Sequence, residues 1–245
     1  MDITKSAYPP RTSQTAPEQE LLESRRRAAL IAAEERAVAL FDAIEAARLV
    51  APGRRERDIE DDIYALARER FGVEKHWHKR IVRAGANTLT TAIDNPPVRT
   101  IAADDTVYVD LGPVFGEWEG DVGRTYLMGN DPAKARLIAD LERIFGIGQA
   151  HFHSTPDITG AALYDFVSRQ AAEAGWRFGG SIAGHVVGEF PHARLPGDKE
   201  LNRISPRNPR PMSEPDGLDQ ARHWILEVHL VDKDRTFGGF YERLL

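Results

Sequence analysis

The sequence predicts an α+β domain made of two similar halves. Two observations carry that expectation. Along its 245 residues the texture runs from two helical stretches to several short strands, then repeats that order. The strand-like runs are β-branched and aromatic and are bounded by Gly, Pro and Asn, as hairpin strands are. No sequence repeat accompanies the echo.

The first helix reads from Pro17 to about Leu49 in "EQELLESRRRAALIAAEERAVALFDAIEAARLV". It is rich in Ala, Leu, Glu and Arg, with Leu40, Phe41, Ile44 and Leu49 at helical spacing. Pro52 and Gly53 stop it. A second helix follows from about Asp58 to Phe71 and ends at Gly72. Strands are expected in "HWHKRIVRAG", "TVYVDLGPVFG" and "GRTYLMG". Helices around Pro132 to His151 and from about Thr159 to Ala174 open the second half. Strands near Gly179 to Val187, Trp224 to Val231 and Gly238 to Leu244 complete it. Ala193 to His223 holds five prolines and little periodicity. It reads as a long loop, either a lid or binding wall or a disordered surface insertion. Residues 1–16 are polar and Pro-containing and are expected to be loose, leaving 17–245 as one domain.

Composition narrows the function. A net charge of -6 argues against nucleic acid or an anionic membrane as the main partner. No run of 18 apolar residues and no signal-peptide pattern occurs, so a cytoplasmic protein is expected. Without cysteine there are no disulfides and no thiolate nucleophiles. Any metal must then rest on oxygen and imidazole ligands. "GxSxG", "GxGxxG" and a phosphate loop are absent, and Ser168 and Ser181 fit no triad spacing.

Several acids interrupt apolar runs. Asp110 ends Val107-Tyr108-Val109, and a hairpin through Gly112, Pro113 and Gly116 would return Asp121 to its side. Two adjacent carboxylates repel each other and become comfortable around a cation. The plain alternative pairs one of them with Arg124. His185 ends "SIAGH", with Gly184 and Gly188 allowing close backbone approach. Glu227 lies in "HWILEVHLVD", with His229 two residues on and on the same strand face. Glu242 lies in "FGGFYERLL", where Arg243 is an ordinary candidate partner. Separately each is an acid or imidazole that a core could satisfy; together they would leave several unpaired buried charges. A dinuclear site of oxygen ligands and one imidazole removes that cost.

The texts "VDLG", "GDVGRT", "GHVVGEFPH", "ILEVH" and "YERLL" resemble, in order and separation, those of the pita-bread metallopeptidases: methionine aminopeptidase, aminopeptidase P and prolidase, with creatinase as a relative. The Asp-to-Asp interval is eleven and the His-to-His interval seven. The resemblance covers roughly residues 83–245. It implies a curved antiparallel sheet with flanking helices in two pseudo-symmetric halves. It implies two divalent ions held by Asp110, Asp121, His185, Glu227 and Glu242, with Asp121 and Glu242 bridging. Manganese or cobalt would be favoured over iron or zinc. A hydroxide held between the ions would attack a carbonyl carbon, Glu227 would carry the proton to the leaving nitrogen, and His192 would stabilise the oxyanion. Arg124 and Thr125 would support the ligands. His78, His229 and Arg194 are candidate substrate contacts, and Arg80 and Arg83 could meet a substrate carboxylate. The prolidase branch often dimerises, which admits a homodimer.

Departures from the family pattern bear on the substrate. The histidine usual shortly upstream of the first aspartate is missing, that region reading "TTAIDNPPVRT". His76 and His78 lie farther upstream, His76 reading as decoration of a strand start. Glu227 is followed by Val228 where proline is common. Glu189, inside the histidine motif, is expected to face the Pro-rich loop. The N-terminal domain of prolidases is not expected here, and methionine aminopeptidase itself is disfavoured. The expected function is dinuclear metal-dependent cleavage of an amide in a short peptide or peptide-like molecule, of the Xaa-Pro type. Alternatives are a C–N hydrolase or lyase acting on a small metabolite with the same fold, or a binding module.

Overall fold

A computed structural model describes residues 15–245. The loose terminus expected over residues 1–16 lies, up to residue 14, outside the described residues. Helix α1 (Ala16–Ala46) begins where the Thr15 N–H donates to the Glu18 carboxylate at 2.8 Å, half of a capping box. Helix α2 (Glu56–Phe71) ends at Gly72, whose φ of 67° closes a left-handed C-cap. Strands β1 (Ile81–Ala84), β2 (Thr106–Leu111), β3 (Val114–Phe115), β4 (Trp118–Glu119) and β5 (Val122–Leu127) follow. The second half opens with α3 (Pro132–Ser154), capped by the Asp131 carboxylate, and α4 (Gly160–Glu173). It continues through β6 (Arg177–Phe178), β7 (Val186–Val187), β8 (His223–Val231) and β9 (Gly238–Leu244). The α+β expectation and the echo of two helices followed by strands are both met.

Two expected strands are shorter than the sequence suggests. "HWHKRIVRAG" is extended ladder only from Ile81, and the stretch 179–187 is paired strand only at Val186–Val187, with an isolated bridge at His185. Glycine explains the second. Gly184 has φ 131°, and a Cβ there would stand 2.1 Å from the Ile225 carbonyl oxygen. The backbone therefore passes closer to β8 than a regular paired strand could.

The main sheet runs β1-β2-β5-β9-β8-β6, with β7 also pairing β8 and every pairing antiparallel. The halves join at β5–β9. Thr125 secures that seam: its hydroxyl donates to the Phe240 carbonyl at 2.8 Å and accepts the Phe240 N–H at 2.7 Å. Each half has its own apolar core beneath the sheet. Leu40, Phe41, Ile44, Ile59 and Ile63 of α1 and α2 pack on Val107, Val109 and Leu111 of β2. Leu137, Leu141, Ile144 and Val167 of α3 and α4 pack on Leu226, Val228 and Leu230 of β8. Strand alternation then sends the intervening residues, Tyr108 and Asp110 or Glu227 and His229, to the opposite face.

Candidate metal centre

One row of the sheet builds the centre. Asp110 pairs with Gly123, Gly123 with Glu242, and Glu242 with Glu227, across β2, β5, β9 and β8. Directly opposed residues share a face, so three carboxylates are presented side by side around a residue with no side chain. The glycine is required sterically. A Cβ at Gly123 would lie 2.5 Å from the Phe240 ring and 3.2 Å from the Glu242 Cβ. Asp121, two residues before Gly123, shares its parity and joins the cluster. The Gly112–Gly116 turn thus returns Asp121 to Asp110 as expected, although the pairing with Arg124 does not occur. Arg124 has the opposite parity and crosses to α1, 2.5 Å from the Glu45 carboxylate. It supports no ligand.

The electrostatics are severe. Asp110, Asp121 and Glu242 are buried, and Glu227 is partly buried at their edge. Burial pushes the Asp110 carboxyl up to about 7, with the Asp121 charge adding to it. Burial and the neighbouring aspartates hold Glu227 and Glu242 well above the usual carboxylate range. Asp110 Oδ1, both Asp121 carboxylate oxygens and Glu242 Oε2 are buried without a hydrogen-bond partner. Four unpartnered anionic acceptors facing one cavity are the donor set of a hard or borderline cation. The residues present fit a metal. Two triads have ligand atoms all within 4.8 Å of one another: His78, Asp110 and Asp121, and Asp121, His185 and Glu242. Asp121 belongs to both.

His185 meets this cluster from the segment before β7. Its Nδ1 lies 2.9 Å from the Val186 carbonyl, a partner that can only accept, so the neutral ring presents a lone pair at Nε2. That Nε2 is 3.6 Å from Asp121 Oδ2 and 3.7 Å from Glu227 Oε1. Burial lowers its pKa to about 4, keeping the ring neutral. His192 stacks on His185 with centroids 5.0 Å apart and planes 16° apart. Its Nδ1 is 2.5 Å from Glu119 Oε2, and its backbone N–H donates to Glu119 Oε1 at 3.1 Å. Sequence reading missed Glu119. It looks like one more acid in a polar turn, and the strand parity it shares with Asp121 is the one signal that could have found it.

His78 lies in the centre, its Nε2 3.4 Å from both Asp110 Oδ1 and Asp121 Oδ1. Burial opposes its charge, but the two aspartates overcome this and raise its pKa to about 9. His76 stays outside the cluster, bridged to Pro113 and packed against Tyr64. His229 is buried beside the site, with Nε2 2.8 Å from the Thr88 carbonyl, to which it donates. Arg194 is not brought in. It is exposed in the 3₁₀ turn His192–Arg194, where 120° per residue carries it round from the side that His192 occupies. Arg83 is buried beside Glu60 at 4.0 Å, and Arg80 lies over the Tyr64 ring.

A cavity of about 430 Å³ opens over the carboxylates, with Trp77, Ile81, Tyr108, Ile182 and Phe240 among its apolar walls. The Pro-rich loop supplies Leu195, Lys199, Asn202 and Arg203 as another wall. It is no loose insertion, because Ile204, Asn208 and Met212 are buried. The backbone of Glu189 lies along β4, bridging Trp118. Among the described residues, no helix is long and apolar enough to cross a membrane.

Residues 28–215 match the model of metallopeptidase family M24. No curated protein sequence matches the chain. Among solved structures, a prolidase from Thermococcus sibiricus superposes with a TM-score of 0.66 at 20% identity, over 89% of this chain and 55% of that one. An X-Pro aminopeptidase from Thermotoga maritima gives 0.66 at 18% identity, over 93% and 61%. A methionine aminopeptidase from Rickettsia prowazekii gives 0.64 at 15%, over 90% and 92%. The fold is thus the pita-bread fold, and the chain spans little more than half the length of the first two structures.

Proposed function

Since the chain belongs to metallopeptidase family M24, we propose that it is a dinuclear metal-dependent hydrolase cleaving an amide bond in a short peptide or peptide-like molecule. The observation that carries this reading is the row Asp110, Glu242, Glu227 with Asp121 beside it, four carboxylates around one cavity, with buried oxygens of Asp110, Asp121 and Glu242 lacking a hydrogen-bond partner. Asp110, Asp121, His185, Glu227 and Glu242 would hold two divalent ions, manganese or cobalt ahead of iron or zinc. When bound, such a pair polarises a carbonyl and makes water a nucleophile near neutral pH.

The remaining steps fall to the chain. Glu227, at the cavity edge and shifted upward by burial and its neighbours, accepts a proton and passes it to the leaving nitrogen. His192, its Nδ1 held by Glu119, turns Nε2 to the developing oxyanion. The Trp77, Ile182 and Phe240 walls exclude water and hold apolar substrate side chains. Lys199 and Arg203 are placed to meet a substrate carboxylate. A homodimer in the cytoplasm is compatible with this reading.

The test is elemental analysis of protein purified without chelator and supplemented with Mn(II) or Co(II), beside hydrolysis of Xaa-Pro dipeptides and other short amides. Two equivalents and turnover are expected. Fewer than one equivalent with every amide intact would sink the proposal. A second reading keeps the fold and changes the substrate to a non-peptide metabolite. It is favoured by the region that lacks the upstream histidine, where Ile93 lines the cavity instead. A metabolite screen in which a non-peptide turns over while peptides survive would select it.

A further inference from the structure

We infer that His78 is a metal ligand, so that the centre carries two imidazoles, one in each triad of donors. The inference rests on the two-metal reading above and adds a donor to it. Position is the first argument. The Nε2 atom of His78 stands 3.4 Å from Asp110 Oδ1 and 3.4 Å from Asp121 Oδ1, both of them buried oxygens without a hydrogen-bond partner. An ion seated among these three atoms would satisfy all of them at once. The other triad, Asp121, His185 and Glu242, has the same makeup of one imidazole and two carboxylates, with Asp121 shared.

The second argument is how the ring is held. His78 Nδ1 lies 2.5 Å from the carbonyl of Lys79, the next residue, as His185 Nδ1 lies 2.9 Å from the carbonyl of Val186, the next residue. A carbonyl accepts only, so in the neutral ring Nδ1 carries the hydrogen and Nε2 the lone pair. A ring N–H fixed by a backbone carbonyl is the usual support of a ligating histidine. Both imidazoles have it.

Third, the segment is anchored to the turn that follows Asp110. The Trp77 N–H donates to the Gly112 carbonyl at 2.9 Å, and the Val114 N–H donates to the Lys75 carbonyl at 2.9 Å. The Trp77 ring stands edge-on between the imidazoles, 4.5 Å from His78 and 5.0 Å from His185. One indole thus sets the orientation of both rings. A histidine that merely decorated a loop would need none of these restraints.

The test is titration of the chelator-treated full chain with Co(II), read by equilibrium dialysis and proton NMR. A histidine bound to Co(II) through Nε2 gives a hyperfine-shifted Nδ1–H resonance that disappears in D2O. Two Co(II) equivalents and two such resonances are expected in the wild-type protein. His78→Gln should lose one resonance and weaken one of the two Co(II) affinities by about tenfold or more. His185→Gln should lose the other resonance. Two equivalents with a single resonance, assigned to His185, would overturn the inference and leave the two-metal reading standing. One equivalent in the wild type, rising to two in His78→Gln, would overturn both, His78 then serving as an internal cation in place of an ion. The wild-type resonance count decides the matter even if either variant fails to fold.

Discussion

His192 and Glu119 form a buried pair: Nδ1 of the imidazole lies 2.5 Å from a carboxylate whose side chain has no exposure to solvent. The glutamate also accepts the His192 backbone N–H, so it fixes both the tautomer and the place of the ring. With Nδ1 committed, only Nε2 remains for a substrate.

His192→Ala should therefore lower kcat by about 10²–10³, the effect of removing an oxyanion donor. Glu119→Gln keeps an acceptor but gives a weaker hydrogen bond to hold the ring, and should cost about tenfold. Because the glutamate acts through the histidine, the double variant should be no worse than His192→Ala alone. Steady-state kinetics on one short amide checks all three, and losses that simply add would refute the coupling.

Removing metal should weaken the fold. Wild-type protein given a divalent ion at a hundred times its Kd should gain about 2.7 kcal/mol. For a chain of this size that is a rise of roughly 5–10 °C in Tm. Asp121→Asn relieves repulsion among the carboxylates and also removes the donor common to both triads. Its metal-free Tm should exceed the metal-free wild type, and added Mn(II) should no longer raise it. Scanning calorimetry with and without chelator gives the comparison.

The same charges set a pH dependence in metal-free protein. Asp110 is raised from 3.8 to about 7 and His78 from 6.5 to about 9. In each case the folded state holds its proton after the unfolded state has released it, so stability falls as pH rises through the interval. His76 and His185, lowered to about 4, act in the opposite sense between about pH 4 and 6.5 and drop out above it. From pH 6.5 to 9 the metal-free Tm should thus decline. Bound metal, which replaces the protons, should flatten that slope; thermal melts in chelator and in excess Mn(II) compare the two.

Two glycines of "GHVVGEFPH" separate cleanly. A Cβ on Gly184 would stand 2.1 Å from a backbone carbonyl at φ 131°, whereas one on Gly188 would meet nothing within 4 Å. Gly184→Ala should cost about 3 kcal/mol or more and displace His185, and Gly188→Ala should stay within about 1 kcal/mol of wild type. Urea unfolding of the two variants distinguishes them, and an equal loss in both would contradict the geometry.

Much of this centre was legible because strands report through parity. Asp110, Glu227 and Glu242 stand out as acids in otherwise apolar runs, which is how a buried polar row looks when only one strand is visible. Arg124 misled because it lies only three residues from Asp121: an odd number of steps along a strand reverses the face, and it reaches Glu45 instead. His78 could not be placed from sequence. It sits in an irregular segment whose position is set by hydrogen bonds to Gly112 and Val114, contacts that no local periodicity records. Arg194 failed for a related reason, since two residues of a 3₁₀ turn undo proximity in sequence.

The loop that walls the cavity is sewn to the segment that bears His185. Ala183 donates to the Ile204 carbonyl at 2.7 Å and Ile204 to the Gly184 carbonyl at 2.8 Å, with His185 bridging Arg203 next to them. Lys199, Asn202 and Arg203, which line the cavity, therefore share a backbone frame with a residue proposed to hold metal. Under the proposed function, substrate choice and cation retention would be inherited together in such a design. Exchanging this loop for another should then change both metal affinity and substrate preference together.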